Sequence, residues 1–181
     1  MSAAAGAAAA ANPPLPTALI VMGVSGSGKS TIGIGLADAL GWDFRDGDAF
    51  HPPSNVAKMK SGAPLTDDDR WPWLDAIAAH VAELERGGGH VVIACSALKR
   101  AYRDRLRTSG ARLRFVHLAG SFDLIDGRMK ARRDHFMPAS LLRSQFATLE
   151  EPTADENAVR VPIDAAPDAI VSEALTLLRA G

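Results

Sequence analysis

One cysteine, Cys95, stands in a chain of 181 residues, so no intrachain disulfide can form, which is compatible with a reducing compartment. No apolar run is long enough to span a membrane, so no membrane partner is expected. A net charge of −1 removes any general attraction to nucleic acid, which is not expected as a partner either. Residues 1–16 are Ala-rich and end Asn12-Pro13-Pro14-Leu15-Pro16; they lack the basic start of a secretion signal and the arginines of a transit peptide. They read as a disordered leader before a single domain over 17–181. A hydrophobic content of 47% with 23% charged residues is ordinary for a chain that builds one core.

What is present begins at residue 23. Gly23-Val24-Ser25-Gly26-Ser27-Gly28-Lys29-Ser30-Thr31 follows the apolar run Ala18-Leu19-Ile20-Val21-Met22 and matches G-x-x-x-x-G-K-[ST] placed after a strand. The glycines let the backbone turn tightly, so that successive N–H groups point at a phosphate. Lys29 reaches the β- and γ-phosphates, the Ser30 hydroxyl is a Mg²⁺ ligand, and the helix that starts there turns its positive end to the anion. Ile32, Leu36 and Leu40 give that helix an apolar face, which a flexible Gly/Ser linker would lack. The chain is expected to bind a nucleoside triphosphate, with Mg²⁺.

Strands are expected at 18–22, 42–45, 90–95, 113–118 and 158–163. Helices are expected at 29–40, 54–60 with Ser54 as N-cap, 70–86, 97–107, 122–133, 139–148 and 167–180. Alternation of this kind predicts an α/β fold, three layers with a five-stranded parallel sheet between helices. Ligands then bind at the carboxyl ends of the strands, where the phosphate loop lies.

After the second strand comes Arg45-Asp46-Gly47-Asp48-Ala49-Phe50-His51. A kinase acting on an alcohol needs a group to take the hydroxyl proton and hold the nucleophile in line, and oxygen atoms to fix the metal's water shell. Asp46 and Asp48 can divide those tasks; an Asp-Gly turn is the structural alternative. His51 either orients a substrate hydroxyl or caps a turn. The strand at 90–95 ends in Cys95-Ser96 rather than the Asp of an ordinary ATPase or GTPase, and no Asn/Thr-Lys-x-Asp guanine signature is present. A small-molecule kinase therefore fits better than a nucleotide switch. Cys95 reads as an inert core thiol. Arg70 follows Asp67-Asp68-Asp69, and Lys99, Arg100 and Arg103 open the helix after the third strand; guanidinium forks there would bind a carboxylate. Arg128 and Arg132, four apart on one helix face, lead into Asp134-His135-Phe136-Met137-Pro138 and suggest a lid over about 128–147 that closes on the triphosphate.

Several blocks together resemble the gluconate kinases of the small P-loop type, relatives in fold of shikimate and nucleoside-monophosphate kinases. They are the phosphate loop at 23–31, Asp-Gly-Asp-Ala-Phe-His-Pro at 46–52, the stretch Asn55 to Leu65, and Asp67 with Asp69-Arg70-Trp71-Pro72-Trp73-Leu74. Ala94-Cys95-Ser96-Ala97-Leu98-Lys99-Arg100, His135-Phe136-Met137-Pro138, Ser144-Gln145-Phe146 and Leu149-Glu150 with Pro152 continue the match, which covers about residues 18 to 180. The resemblance implies phosphorylation of D-gluconate at its 6-hydroxyl by Mg·ATP, in a cytoplasmic homodimer. It implies that the P-loop holds ATP, that Asp48, His51, Arg70, Lys99, Arg103 and His135 face gluconate, and that Arg128 and Arg132 approach the triphosphate. Asp48 is assigned as base and Asp46, with Ser30, to the metal side; the two acids can exchange roles. A shikimate-like or nucleotide-directed kinase is the nearest rival.

Overall fold

The computed structural model describes residues 14–132 and 138–181. Five strands form one all-parallel sheet: β1 (Ala18–Met22), β2 (Asp43–Asp46), β3 (Val91–Ala94), β4 (Leu113–Ala119) and β5 (Ala158–Pro162), in the order β2-β3-β1-β4-β5. The helices are α1 (Lys29–Leu40), α2 (Pro53–Lys60), α3 (Asp67–Gly87), α4 (Arg100–Arg107), α5 (Phe122–Ala131), α6 (Ala139–Thr148) and α7 (Pro167–Ala180). The expected three-layer α/β architecture is the one observed.

Period-two alternation in β1 sorts the two halves of the core. Leu19 and Val21 face a cluster made with Ile32 and Leu36 of α1, Ile125 of α5, Leu142 of α6 and Ile170 of α7. Ala18, Ile20 and Met22 face the opposite cluster, with Trp73, Leu74, Ile77 and Val81 of α3 and Tyr102 and Leu106 of α4. Every residue of β1 and β3 is buried, as strands covered on both faces must be. Neighbouring β1 and β3 therefore send their following helices, α1 and α4, to opposite faces. That divergence opens a crevice at their carboxyl ends, the place where sheets of this kind bind ligands.

Several element ends differ from expectation, each for a local reason. Helix α2 starts at Pro53, with Pro52 rather than Ser54 as N-cap, because a proline at the first helical position gives up no hydrogen bond. Helix α3 starts at Asp67 rather than at 70: Thr66 and Asp69 form a capping box, and three acids occupy the first turn. Helix α4 starts at Arg100 rather than at 97, since Ala97 has a φ of 44° and breaks the helical run. Its first amide is capped from a distance, the Arg100 N–H donating to Glu150 Oε2 at 2.7 Å. Helix α5 stops at Ala131, and Arg132 is its extended C-cap.

Candidate active site

A cavity of about 850 Å³ lies at the crevice, lined by Ser25, Gly26 and Gly28 to Thr31 after β1, by Asp46 and Asp48 after β2, and by Ala94 and Ser96 at the end of β3. Met59 of α2, Met129 of α5, Arg132 and Gln145 of α6 complete its wall. The P-loop is held by short-range chemistry. Gly26 and Gly28 take φ of 78° and 94°, left-handed values that a glycine adopts without a steric penalty. The Gly23 amide donates to the Ser96 carbonyl at 3.3 Å, joining the loop to the end of β3. Lys29 Nζ donates to the carbonyls of Gly23 and Val24, at 3.1 and 3.0 Å, across the mouth of the loop. Burial pulls the lysine below its ordinary value, while Asp48 and Asp46 work in the opposite direction.

The Asp-Gly-Asp segment is a turn and a piece of this cavity at once. Asp46 caps a short 3₁₀ turn, Gly47–Phe50, its Oδ1 accepting from the Asp48 amide at 3.0 Å. A Cβ on Gly47 would collide with the carbonyl oxygen of Ala94, so glycine alone lets the segment pass against β3. The Trp73 indole N–H pins it from the other side, donating to the Gly47 carbonyl at 2.7 Å. The Asp48 side chain is left 84% exposed, free to meet a ligand.

His51 does not line the cavity but stands behind Asp48. Its ring stacks on Trp73 with centroids 4.3 Å apart, and its Nε2 lies 3.9 Å from Asp48 Oδ1. The Asn55 amide nitrogen donates to the Asp69 carbonyl at 2.8 Å, which fixes the carboxamide's orientation, and the same nitrogen sits 3.2 Å from His51 Nδ1. Nδ1 is therefore the acceptor, and the proton of the neutral ring is on Nε2, the nitrogen on the side of Asp48. Burial holds His51 below its ordinary value, against the pull of Asp48 and with the help of Arg70.

Arg70 and Lys99 form a neighbouring cationic group. Lys99 Nζ donates to both oxygens of Asp67, at 3.0 and 3.2 Å, and Tyr102 donates its hydroxyl to the same carboxylate. Arg70 donates to the Leu65 carbonyl at 2.7 Å and approaches Asp67 at 3.8 Å. Both cations lie over the Tyr102 ring, 5.6 and 5.5 Å from its centroid. Two positive charges thus share one carboxylate, beside His51 but outside the cavity wall.

Arg103 is a correction. The expected fork on a carboxylate exists, but the carboxylate is the protein's own. Arg103 and Glu156 are 0% and 1% exposed, and Nε and Nη2 reach the two carboxylate oxygens at 2.5 and 3.1 Å. Arg103 Nη1 also donates to the carbonyls of Ala97 and Leu98. Burial pushes the Glu156 carboxyl up, but Arg103, Arg107 and Arg100 together outweigh that and hold it below the ordinary range. No substrate reaches this guanidinium.

The shared-face reading of Arg128 and Arg132 also changes. Arg132 lies beyond the end of α5 and lines the cavity; Arg128 is half-buried on the helix and does not. His135 lies outside the described residues. Cys95 is buried and its thiol is pushed up to about 12 by burial, so it is inert. The donors beside Ser30 are hydroxyl and carboxylate oxygens, a set suited to a hard cation such as Mg²⁺. Among the described residues, no group of three or more His, Cys, Asp or Glu could hold a metal by itself.

Gln145, Met59, Ser96 and Met129 were not singled out from the sequence as site residues. For Gln145 and Ser96 a signal was present, since both stand within blocks that carry the family resemblance. Met59 stands in such a block as well; Met129 does not, and a flexible apolar side chain beside a ligand site is indistinguishable in sequence from core filling.

The shikimate kinase family model matches residues 25–179. A gluconokinase from Gluconobacter oxydans (strain 621H) is 50% identical over 158 residues, spanning 87% of this chain and 89% of its own. The thermoresistant gluconokinase of Escherichia coli K12 is 45% identical over 163 residues, 90% and 93% of the two chains. The crystal structure of a gluconokinase from Sinorhizobium meliloti 1021 superposes with a TM-score of 0.83 at 49% identity, over 93% of this chain and 94% of that one. A shikimate kinase from Aquifex aeolicus, 17% identical with a TM-score of 0.58 over 90% and 96% of the chains, shares the fold. The chain belongs to the gluconokinases of the shikimate kinase family.

Proposed function

We propose that this protein transfers the γ-phosphoryl group of ATP to the 6-hydroxyl of D-gluconate, giving 6-phospho-D-gluconate and ADP. The observation that carries the reading is the shared wall: Lys29 and Ser30 of the P-loop face the same cavity as Asp46 and Asp48. A donor polyphosphate and an acceptor alcohol can therefore meet there. The P-loop amides and Lys29 bind the triphosphate, and Arg132 adds positive charge at the same wall. Ser30 and Asp46 would hold Mg²⁺, which when bound would supply charge neutralisation. Asp48 accepts the 6-hydroxyl proton as that oxygen bonds to the γ-phosphorus and the bridging oxygen leaves with ADP. His51, 3.9 Å from Asp48, lies close enough to orient a substrate hydroxyl beside the base, and the excess positive charge of Arg70 and Lys99 receives the gluconate carboxylate. His135 is proposed to face gluconate on the strength of the family resemblance, which also supports a lid over about 128–147, a cytoplasmic location and a homodimer.

The test is ADP release measured with gluconate, shikimate and nucleoside monophosphates side by side. Gluconate should give the fastest turnover; faster turnover of either rival overturns the substrate assignment. In the same assay Asp48→Asn should lower kcat by about 10²–10⁴ with little change in KM for ATP, the expectation for a lost general base. A rise in KM for ATP with kcat intact would move Asp48 out of that role.

A further inference from the structure

We propose that Gln145 is a positioning residue that sets the P-loop for nucleotide through a two-point hold on Ser25. This rests on the phosphoryl-transfer reading above. The Ser25 amide donates to Gln145 Oε1 at 2.7 Å, and Gln145 Nε2 donates to the Ser25 hydroxyl at 3.1 Å. One carboxamide thus fixes both the main chain and the side chain of the loop's third residue, across 120 positions of sequence.

The consequence for the loop follows from where its amides go. The Ser25 N–H is engaged by α6, and the Ser27 N–H turns back to the Val24 carbonyl at 3.2 Å. The first amides of α1 have no acceptor within the helix and form the remaining anion cradle. Rotation of the Ser25 peptide would carry Gly26 with it and open that cradle. The next residue along is held from a second side: a Cβ on Gly26 would lie 2.7 Å from Met129 Cγ, so α5 packs directly against the loop backbone. Helices α5 and α6 therefore grip successive residues, Ser25 and Gly26, and both line the cavity through Met129 and Gln145. Packing by Met129 excludes other loop positions, and hydrogen bonding by Gln145 selects one peptide orientation. Gln145 spends both ends of its carboxamide on Ser25, so it acts through the loop.

The experiment pairs Gln145→Leu, which keeps volume and removes both bonds, with Ser25→Ala, which removes only the hydroxyl. Binding of a non-hydrolysable ATP analogue with Mg²⁺ is measured by calorimetry, and KM and kcat for ATP and gluconate by turnover. Gln145→Leu should weaken analogue binding about tenfold, the scale of one net hydrogen bond to the loop, with KM for gluconate within about twofold of the parent. Ser25→Ala should lose less, and the double variant should be no worse than Gln145→Leu alone, because the second bond is already gone. Unchanged analogue affinity overturns the proposal. So does an equal loss for both substrates, which would mark a general scaffold role, and so do fully additive losses. Analogue binding is read without turnover, so a parent protein that binds the analogue but leaves gluconate untouched would refute the proposed substrate while the calorimetric ratios still decide the role of Gln145.

Discussion

Arg103 shows how far a single side chain can be read from chemistry alone. A planar fork of donors for a substrate carboxylate is what its position suggested; the fork forms, but on the protein's own Glu156. Burial was the missing term: Glu156 is 53 residues away in the chain, and nothing local marks either residue as interior. A buried pair of this kind is costly to break from one side, because the surviving charge has no water and no partner. Arg103→Ala is therefore expected to lower unfolding stability by about 3–5 kcal/mol. It would also strand the carbonyls of Ala97 and Leu98, where the chain leaves β3 in a left-handed conformation. Urea denaturation checks this; a change below about 1 kcal/mol, the level of a surface pair, would show that water reaches the site.

At the scale of elements, the five strands and seven α-helices among the described residues were legible, because apolar periodicity and glycine or proline punctuation report them directly. Their ends were less so. Helix α3 begins three residues before the start expected at 70, since the capping box lies in a polar stretch. That box makes a prediction. Thr66 Oγ1 accepts from the Asp69 amide at 3.2 Å, and the Asp69 carboxylate accepts from the Thr66 amide at 2.8 Å while pairing with Lys58 at 2.5 Å. Thr66→Ala should cost about 1 kcal/mol, and so lower the thermal midpoint by about 2–4 °C, with Thr66→Ser nearly neutral. A scan of the three proteins by calorimetry decides it, and equal losses for Ala and Ser would assign the effect to packing of the methyl group instead. The end of α5 was missed for the opposite reason: Arg132 continues a helical pattern in sequence, yet its backbone is already extended.

For the molecule as a whole, acid sensitivity should appear in two stages. Burial is the leading cause that holds both His51 and His117 below the ordinary 6.5, opposed by Asp48 for the first and by Glu151 for the second. Below pH 6.5 the unfolded chain takes up protons that the folded chain refuses, so stability is complete above that value and declines as pH falls toward the folded-state values. Asp69, drawn down to about 2 first by its bond from Lys58 and then by the Thr66 amide, belongs to a second stage: its contribution is present above the ordinary 3.8 and is lost as pH falls toward 2. Thermal midpoints recorded from pH 7 to 5.5 should fall, and His117→Gln should flatten that fall; a midpoint insensitive to pH in this window would contradict the burial of both rings. The phosphate loop and the acidic segment of the candidate site were legible because each is contiguous in sequence. The hold of Gln145 on Ser25 and the Arg103–Glu156 pairing were not, because those partners meet only after the sheet has assembled.

The inaccessible Cys95 carries a practical corollary. With no other sulfhydryl in the chain, and this one sealed against alkylation, cysteines introduced one on α5 and one on α6 would be the only targets for maleimide dyes. The spacing of those helices could then be followed by energy transfer during turnover in an otherwise unaltered protein.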